Sequence, residues 1–488
     1  MPALEKYFEQ FRNQIIGNDS CFESPYGIRK IHYFDWVAGG RLYKPIEDKI
    51  AGVFGPFVAN THTETSETGS RMTRCYKYAH EYIKQQVNAG PNDMIITAGP
   101  GMTTVVNKLQ RILSLRTGNK RVKSEWTDIT ERPVVFITHM EHHSNQTSWY
   151  ETIADVVMIP PLESLLIDLD ALRNILAKYR DRKFKIGAFT ACSNVTGIIT
   201  PYYEMAQIMH ENQGLCFVDF AASAPYVEID MHPPVAMQKL DAIYFSPHKF
   251  LGGPGSPGVL VFDRSLYKSE IPDDPGGGTV DWTNPWGEYK YVDDIEARED
   301  GGTPGFLQTF KAAMAMELKT KMGVKNIMQR EEELVEAAMK GLKAIPGIKI
   351  LAGNNQHRLG IISFYHTDIH FNLIVKLLSD RYGIQVRGGC ACAGTYGHFL
   401  LEVSYARSHQ ITEKINHGDL SDKPGWVRIS LHPVMQDEEV DFLINALKEI
   451  AANHAEWKKD YIYNPKKNEF QHHLQIVSND WIEEWFKL

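Results

Sequence analysis

Seven short apolar runs recur between about residue 94 and residue 262, each bounded by turn-forming residues. The runs are continuously apolar and do not alternate with polar residues, which is typical of strands covered on both faces of a sheet. In chain order they are MIITAG, VVFITHM, DVVMIP, KIGAFTACS, LCFVDFAA, AIYFS and GVLVFD. We therefore predict seven buried strands in one sheet.

Helical patterns lie between several of these runs. MTTVVNKLQRILSL follows the first run, and DLDALRNILAKYR precedes the fourth. YYEMAQIMHENQG follows the fourth run and ends at a glycine, as many helices do. Strands that alternate with helices favour an α/β fold whose sheet is mostly parallel.

The pattern changes after loop-forming stretches between residues 270 and 305. Two long helical segments follow, and then a smaller α+β region. Its predicted strands are IKILAG, GIISFYH, IQVRGG and WVRISL, and its predicted helices are FNLIVKLLSDRYG and DEEVDFLINALKEI. We predict an N-terminal helical arm (1–30), a large domain (31–310), a small C-terminal domain (311–450) and a C-terminal extension (451–488).

The composition narrows the class of protein. The chain has 488 residues, 43% of them hydrophobic and 23% charged, which is enough for a large core and two domains. A net charge of -8 argues against nonspecific nucleic-acid binding, and no run approaches the roughly 20 apolar residues that span a membrane. The N-terminus lacks the apolar core of a signal peptide, so we interpret the six cysteines as reduced thiols of a cytoplasmic protein.

Polar residues follow the predicted strands at their carboxyl ends, where open α/β sheets bind ligands. AGPGMTT follows the first strand and offers the backbone N–H groups of a helix start to an anion. The ends of later strands carry, in chain order, His142 and His143, Asn194, Asp219 and Lys249. One edge of the sheet is therefore predicted to bring histidines, an amide, a carboxylate and a lysine together.

The lysine stands in SPHKFLGGPGSPG, before a glycine-rich turn. A nucleotide phosphate loop has its lysine after the glycines and opens a helix, whereas Pro254 and Pro257 block a helix start here. Pyridoxal 5'-phosphate needs a lysine for its Schiff base, a carboxylate for its pyridine nitrogen, a planar group against its ring and N–H groups for its phosphate. The strand-end residues supply these groups, so we predict a site for this cofactor.

Four stretches carry a resemblance to a known family: THMEHHSNQTSW, SNVTG, VDFAASAPYVEIDM and FSPHKFLGGPGSPGVLVF. They resemble the fold-type I, class V aminotransferase superfamily, and within it the cysteine desulfurase/selenocysteine lyase group. The resemblance extends from about Tyr33 to about Ile450. It implies a pyridoxal-phosphate enzyme with a mainly parallel seven-stranded sheet in the large domain and a smaller α+β domain.

The resemblance implies a role for each matching residue. Lys249 is expected to form the Schiff base, Asp219 to pair with the pyridine nitrogen, and His142 to stack on the ring. Further contacts to the cofactor are implied for Asn194 near the ring oxygen and for Thr103, Ser246 and His248 at the phosphate. Family members are dimers in which the neighbouring subunit reaches that phosphate, and GGTPG assigns this contact to Thr303.

Two later stretches concern the substrate. GWVRISLHPVMQDEEVDFLI resembles the segment whose arginine holds the amino acid's carboxylate, which assigns that role to Arg428. VRGGCACAG resembles the loop that bears a nucleophilic cysteine, and aligning its arginine with Arg387 places the nucleophile at Cys392. Arg387 is also the second candidate for the carboxylate. Gly388, Gly389 and Gly394 are expected to let the loop move.

One position departs from the family. Family members usually carry a glutamine three residues after the aspartate, hydrogen-bonded to the ring oxygen, and here that position is Ala222. Ser223 and Asn194 are the candidates to replace it.

The thiols have a second interpretation. Cys390 and Cys392 could bind a metal together with His398. Sites of this kind usually need two well-spaced pairs, and the sequence has no second pair, so we predict no metal.

Three functions are compatible with these residues. The first is a desulfurase-like enzyme that takes sulfur or selenium from L-cysteine or selenocysteine and leaves alanine and an enzyme persulfide. The second is another class V enzyme, such as an aminotransferase, epimerase or C–S lyase, that acts on a small amino acid without a catalytic cysteine. The third is a non-enzymatic binding protein, which the joint presence of Lys249, Asp219 and Arg428 disfavours. The expected partners are a small amino acid, a second copy of the chain in a homodimer and a sulfur-acceptor protein, with no nucleic acid or membrane.

Overall fold

The computed structural model describes residues 3–116, 128–355, 357–474 and 480–488. Within these residues the strands are β1 (Cys21–Ser24), β2 (Gly27–Lys30), β3 (His32–Tyr33), β4 (Asp93–Ala98), β5 (Val134–Ile137), β6 (Asp155–Met158), β7 (Lys185–Thr190), β8 (Leu215–Asp219), β9 (Ala242–Phe245), β10 (Gly258–Asp263), β11 (Val280–Thr283), β12 (Tyr289–Tyr291), β13 (Ile348–Ile350), β14 (Ile361–His366), β15 (Ile384–Gln385), β16 (Arg387–Gly389), β17 (Trp426–Ser430), β18 (Tyr461–Asn464) and β19 (Glu469–His472).

The α-helices of the same residues are α1 (Ala3–Arg12), α2 (Lys44–Lys49), α3 (Glu67–Gln86), α4 (Met102–Ile112), α5 (His143–Tyr150), α6 (Leu169–Lys178), α7 (Tyr202–Glu211), α8 (Ile295–Glu299), α9 (Phe306–Met322), α10 (Val324–Lys343), α11 (Phe371–Tyr382), α12 (Gly394–Leu400), α13 (Tyr405–Asn416), α14 (Asp437–Trp457) and α15 (Asp480–Phe486). A π-helical turn, Ile50–Phe54, continues α2. Short 3-10 helices cover Gly55–Phe57, Ala236–Gln238, Pro247–Lys249, Arg264–Leu266 and Lys458–Asp460.

The centre of the fold is a seven-stranded sheet in the order β4-β10-β9-β8-β7-β5-β6. The pairs from β9 to β6 are parallel, whereas β10 is antiparallel to both of its neighbours. Each of the seven apolar runs forms one of these strands. The prediction of a mainly parallel seven-stranded sheet in an α/β fold is therefore confirmed.

The sheet is covered on both faces, as its continuous apolar runs indicated. Every residue of β5, β7 and β9 is buried. Along β5, Val134 and Phe136 belong to one apolar cluster, and Val135 and Ile137 belong to a second one. Helices α6 and α7 contribute to the first cluster, and α4 and α5 to the second, so helices pack on each side.

A second sheet has four antiparallel strands in the order β13-β14-β17-β16. Helix α11 packs against β16 and β17, and α14 packs against α10 and α11. This sheet lies within the segment predicted as a small C-terminal domain, and the boundaries of the four predicted domains remain a prediction.

The N-terminal segment joins the two sheets. Strand β3 pairs in parallel with β15. Immediately afterwards the Ser430 N–H donates to the Phe34 carbonyl at 2.7 Å, and the Gly40 N–H donates to the His248 carbonyl at 2.9 Å. Residues 34–40 therefore lie between the end of β17 and the turn after β9.

The C-terminal residues also pack on this side of the molecule. Strands β18 and β19 form a hairpin against α11, where the Tyr461 hydroxyl donates to Asp380 Oδ2 at 3.1 Å. Residues 475–479 of the predicted extension lie outside the described residues. In α15, Trp481 and Trp485 are exposed. Among the helices that the structure describes, none is long and apolar enough to cross a membrane.

Candidate active site

A cavity of about 320 Å³ lies at the carboxyl ends of β7, β8 and β9. The predicted site residues in its wall are Thr103, His142, Asn194, Asp219, Ser246, His248, Lys249, Arg387 and Arg428. Backbone and small side chains complete the wall, among them Gly101, Ala222 and Ala391. The fold therefore brings the strand-end residues and both arginines to one cavity, while Cys392 and Thr303 are not part of its wall.

Lys249 ends the 3-10 turn Pro247–Lys249 that follows β9. The glycines after it are required by close packing. A Cβ on Gly253 would lie 1.8 Å from the Pro247 carbonyl oxygen, and Gly252 has a φ of +79°. The glycine-rich stretch is a tight turn that fixes the backbone of the lysine, in agreement with the rejection of a phosphate loop.

The amine of Lys249 is electrostatically unusual. Burial lowers its pKa to about 8, and the neighbouring Arg428 and Arg387 add to this lowering. The negative charge of Asp219 opposes it. A neutral, nucleophilic amine is therefore available much closer to neutral pH than for an exposed lysine, whose pKa is about 10.4.

Asp219 is the last residue of β8 and is buried. Its Oδ1 accepts a hydrogen bond from the Ala221 N–H at 2.8 Å. Burial raises the pKa of Asp219 to about 6, with the Ala221 hydrogen bond and the charge of Lys249 acting in the opposite direction. A buried carboxylate in this state gains from a cationic N–H partner in the cavity.

His142 caps the N-terminus of α5, where its Nδ1 accepts from the Ser144 N–H at 3.1 Å. Burial lowers the pKa of His142 to about 3, and the positive charge of Lys249 contributes. The imidazole is therefore neutral, and its ring forms a planar part of the cavity wall.

Glu141, which was not among the predicted site residues, directly precedes this histidine and fixes its position. Its Oε1 accepts from the Thr138 hydroxyl at 2.7 Å and from the Thr190 N–H at 3.0 Å, and its Oε2 accepts from Asn145 Nδ2 at 2.7 Å. Burial raises the pKa of Glu141 to about 7. These bonds tie the start of α5 to the end of β7, and the stretch THMEHHSN by itself does not reveal them.

The start of α4 forms the anion-binding end of the cavity. Gly101 is its N-cap and offers no side chain to the helix N–H groups, while the Met102 N–H donates to Ser246 Oγ at 2.9 Å. A Cβ on Gly101 would lie 2.9 Å from His248 Cε1, so a larger residue would require the His248 ring to shift. Thr103 Oγ1 lies 2.7 Å from Ser144 Oγ. Backbone N–H groups, hydroxyls and an imidazole thus converge at a helix N-terminus, which favours negative charge.

The two arginines lie opposite each other on β16 and β17. Arg428 is buried, and its Nη2 donates to Asp35 Oδ1 at 2.8 Å and its Nη1 to the Asn194 carbonyl at 3.1 Å. Its Nε has no hydrogen-bond partner among the described residues. Asp35 was not among the site residues predicted from the sequence. It stands in the segment YFDWVAGG, near Tyr33, where the family resemblance begins.

The loop that carries Cys392 is attached to the cavity. The Ala391 carbonyl accepts from Asn194 Nδ2 at 2.7 Å, and the Cys392 carbonyl accepts from the His143 N–H at 2.8 Å. Ala391 and Cys392 both have positive φ, of 50° and 57°. Two of the flanking glycines belong to β16 and the third begins α12, so these contacts hold the loop that the glycines were expected to free.

Cys392 itself lies beside a cation. Its Sγ is 3.7 Å from Arg387 Nη2, and the side chain is partly exposed. Another thiol, Cys192, lines the cavity but is buried, hydrogen-bonded to the Gly197 carbonyl, and has a pKa raised far above its usual value by burial. Of these two thiols, Cys392 is the one that is partly exposed and beside a cation.

At the position of the missing glutamine, Ala222 lines the cavity. Of the two candidate replacements, Asn194 also lines it, and its Oδ1 is buried without a hydrogen-bond partner in the described part of the chain. Ser223 is buried outside the wall.

Two further predicted groups lie elsewhere. Thr303 is exposed in the loop before α9 and does not reach this cavity within the same chain. Both ring nitrogens of His398 contact protein oxygens, the Gly394 carbonyl and Ser408 Oγ, each at 2.8 Å. The described residues contain no group of three or more histidine, cysteine or acidic side chains arranged to hold a metal ion.

The fold and this cavity define a class. The profile of the family Aminotransferase class-V matches residues 32–443, which is most of the chain, and the chain belongs to this family. The resemblance drawn from the sequence motifs is therefore confirmed.

The relatives within the family have a consistent description. A protein of Staphylococcus epidermidis described as a probable cysteine desulfurase is 28% identical over 441 residues, covering 89% of this chain and 95% of the relative. A probable cysteine desulfurase of Halalkalibacterium halodurans is 27% identical over 386 residues, covering 77% and 87%.

Solved structures have the same fold. The apo structure of a cysteine desulfurase from Thermococcus onnurineus NA1 matches with a TM-score of 0.72 and 20% identity, covering 91% of this chain and 98% of the other. The cysteine desulfurase CsdA of Escherichia coli, in an S-sulfonic acid form, matches with a TM-score of 0.71 and 21% identity, covering 92% and 98%.

Proposed function

We propose that this protein is a pyridoxal-phosphate enzyme that removes sulfur from L-cysteine, leaving alanine and a persulfide on Cys392, with selenocysteine as an alternative substrate. The observation that carries the proposal is the attachment of the Cys392 loop to the cavity that Lys249 and Asp219 line. Asn194 holds the Ala391 carbonyl there, and Cys392 Sγ lies 3.7 Å from Arg387.

The residues present fit the cofactor. The uncapped start of α4 suits its phosphate, the buried carboxylate of Asp219 suits its pyridine nitrogen, and the neutral ring of His142 suits its aromatic face. The low pKa of Lys249 suits covalent attachment of the cofactor through the cofactor's aldehyde. When bound, the cofactor supplies an electron sink for charge that develops on the substrate's α-carbon.

The protein's own groups then have separate tasks. Arg428 and Arg387 hold the substrate carboxylate at the wall opposite the sheet. The amine of Lys249 takes the α-proton and returns it, because its pKa of about 8 permits both directions near neutral pH. Asp219 would keep the pyridine nitrogen of the bound cofactor protonated, and Glu141 keeps His142 in place.

The sulfur step takes place on the protein thiol. The thiolate of Cys392 attacks the sulfur of the bound cysteine, a new S–S bond forms, and the substrate's C–S bond breaks. The substrate carbon gains a proton and leaves as alanine, so one sulfur atom moves from the substrate to the enzyme without an external oxidant or reductant.

One experiment distinguishes this reaction from those of other class V enzymes. Holoenzyme and L-cysteine are expected to yield equal amounts of alanine and protein persulfide in a single turnover, located by mass spectrometry at Cys392. Cys392→Ser should lose persulfide formation, and the matched variant Cys390→Ser should retain most of it. Pyruvate and ammonia would instead indicate a C–S lyase, and a requirement for a second keto acid an aminotransferase.

A homodimer is part of the proposal. Val53 and Tyr78 are exposed apolar side chains beside a second cavity of about 680 Å³, lined by Phe54, Tyr82 and Met314 among others. Such a patch is typical of a protein interface. We propose that a second copy of the chain covers this patch and brings its Thr303 to the phosphate end of the cavity that contains Lys249. Sedimentation equilibrium tests first whether the dimer forms. Transfer of the persulfide sulfur to an acceptor protein and a cytoplasmic location remain predictions.

A further inference from the structure

The two arginines of the cavity wall have different partners. Arg428 is paired with Asp35 at 2.8 Å. For Arg387, the partner within the described residues is the Cys392 thiol at 3.7 Å. Like charges directly opposite each other on neighbouring strands repel. Asp35 therefore offsets one of two positive charges that face the cavity from adjacent strands.

Asp35 is held in this position by its backbone. It forms a parallel β-bridge with Ser430, two residues after Arg428, and its carbonyl accepts from the Ala38 N–H at 3.0 Å. The Val37 N–H donates to Ser430 Oγ at 3.0 Å. The carboxylate is thus fixed beside Arg428 by contacts that do not involve its own side chain.

The charge of Asp35 is felt inside the cavity, although its side chain is not part of the wall. Its negative charge acts against the lowering of the Lys249 pKa by burial. Val37 and Ala38, which follow it, line the cavity directly. A substrate held between Lys249 and the arginines therefore lies within the field of Asp35.

We propose that Asp35 determines the charge selectivity of the substrate site, so that amino acids with one carboxylate bind in preference to dicarboxylic ones. Asp35 neutralises one of the two guanidinium groups, which leaves the positive charge of the other one for the substrate. The single carboxylate of a monocarboxylic amino acid neutralises that charge, whereas a second carboxylate adds an uncompensated negative charge near Asp35. Rejection by a like charge is a common device of specificity. The inference rests on the proposed function, in which this wall receives the substrate carboxylate.

The test compares two amino acids that lack sulfur, so that no turnover interferes. L-alanine and L-aspartate are titrated into holoenzyme, and binding is followed by the near-visible absorption of the cofactor. Wild type should bind L-alanine more tightly. Asp35→Asn keeps the shape and a hydrogen-bond acceptor for Arg428 but removes the negative charge. A nearby like charge typically changes the equilibrium constant of a charged group by about tenfold or more. We expect the affinity ratio to move toward L-aspartate by at least that factor.

Two variants serve as controls. Asp155→Asn also removes a carboxylate that bridges two arginines, Arg132 and Arg182. Asp155 lies at the start of β6, outside the cavity wall. It should leave the affinity ratio unchanged. Asp35→Glu keeps the charge and should keep the preference for L-alanine. Circular dichroism and thermal unfolding check that each variant is folded.

The outcomes separate this inference from the proposed function. Equal binding of the two amino acids by wild type, or an unchanged ratio in folded Asp35→Asn, overturns the role of Asp35 while sulfur removal stands. Failure of wild type to bind cofactor or any amino acid overturns the proposed function itself. Because the wild-type preference is measured without a variant, the inference can be overturned even if Asp35→Asn does not fold.

Discussion

Two walls of the cavity carry charge in different ways. The sheet wall contains His142, Asp219 and Lys249, and the arginine wall contains Arg387 and Arg428, whose partners Asp35 and Cys392 lie outside the wall. On the sheet wall Asp219 and Lys249 have no direct ion pair among the described residues, and desolvation moves their pKa values toward neutrality. On the arginine wall each cation has a partner within 4 Å.

The difference follows from the tasks that the walls are proposed to perform. A group that gives and takes protons needs a pKa near the working pH, which burial without a close counter-ion supplies. A group that binds a carboxylate needs to stay charged and oriented, which a fixed partner supplies. Substitutions on the sheet wall should therefore alter chemistry, and substitutions on the arginine wall should alter binding and selectivity.

The largest effect is expected for Lys249→Ala, which removes the proton-transfer group. Turnover should fall by about 10⁴-fold, the upper range for a positioned acid–base group. Cofactor should still bind without covalent attachment. Borohydride reduction and peptide mapping of the wild type should place the label on Lys249.

Lys319→Met is the matched control for the lysine. Desolvation also lowers the pKa of Lys319, to about 7, but its amine donates to the Ala224 carbonyl at 2.7 Å. Its loss should lower stability and leave the borohydride label on Lys249. A label on any residue other than Lys249 would contradict the assignment.

The next effect is expected for Arg428→Ala on the arginine wall. Truncating one partner of a buried charge pair costs about 2–5 kcal/mol, here as weaker substrate binding. KM for L-cysteine should rise while the near-visible absorption of the cofactor stays the same. Arg428→Lys should restore binding only in part, since an ammonium group lacks the planar fork of a guanidinium. An unchanged KM would move the carboxylate contact to Arg387.

A smaller effect is expected for Asp219→Asn on the sheet wall. A hydrogen bond to a charged group contributes about 1.5–3 kcal/mol, so turnover should fall by about tenfold to a hundredfold with little change in KM. Asp241→Asn is the control, because Asp241 is buried and accepts from the Cys216 N–H at 2.8 Å, away from the cavity. Undiminished turnover in Asp219→Asn would remove Asp219 from the chemistry.

The smallest effect is a shift on the pH axis. Only a neutral amine reacts with an aldehyde, and Lys249 has a lowered pKa of about 8. The rate at which cofactor-free protein takes up pyridoxal 5'-phosphate should therefore rise with pH and level off above about 8. Asp219 raises the pKa of this amine, so the midpoint should fall in Asp219→Asn. A midpoint near that of an exposed lysine, about 10.4, would contradict the burial argument.

The sheet wall was accessible from the sequence for a physical reason. Each of its residues stands at the carboxyl end of an apolar run, and parallel strands place those ends at one edge of the sheet. Local order along the chain therefore predicted spatial order for Asp219 and Lys249. The function of Glu141 was not accessible, because the contact that joins α5 to β7 depends on Thr190, which is 49 positions away along the chain.

What the sequence alone determined is the α/β fold, the seven strands, the family and the set of residues at the strand ends, since apolar periodicity and local motifs specify these features. The tertiary structure decided that Asp35 pairs with Arg428, that Asn194 holds the Cys392 loop, and that the glycines after Lys249 serve packing. The first two contacts join residues that are 393 and 197 positions apart along the chain. Of the glycines, Gly253 packs against the nearby Pro247, whereas Gly252 packs against the distant Ile46. Electrostatic pairing depends on distance in space, which the order of residues does not give.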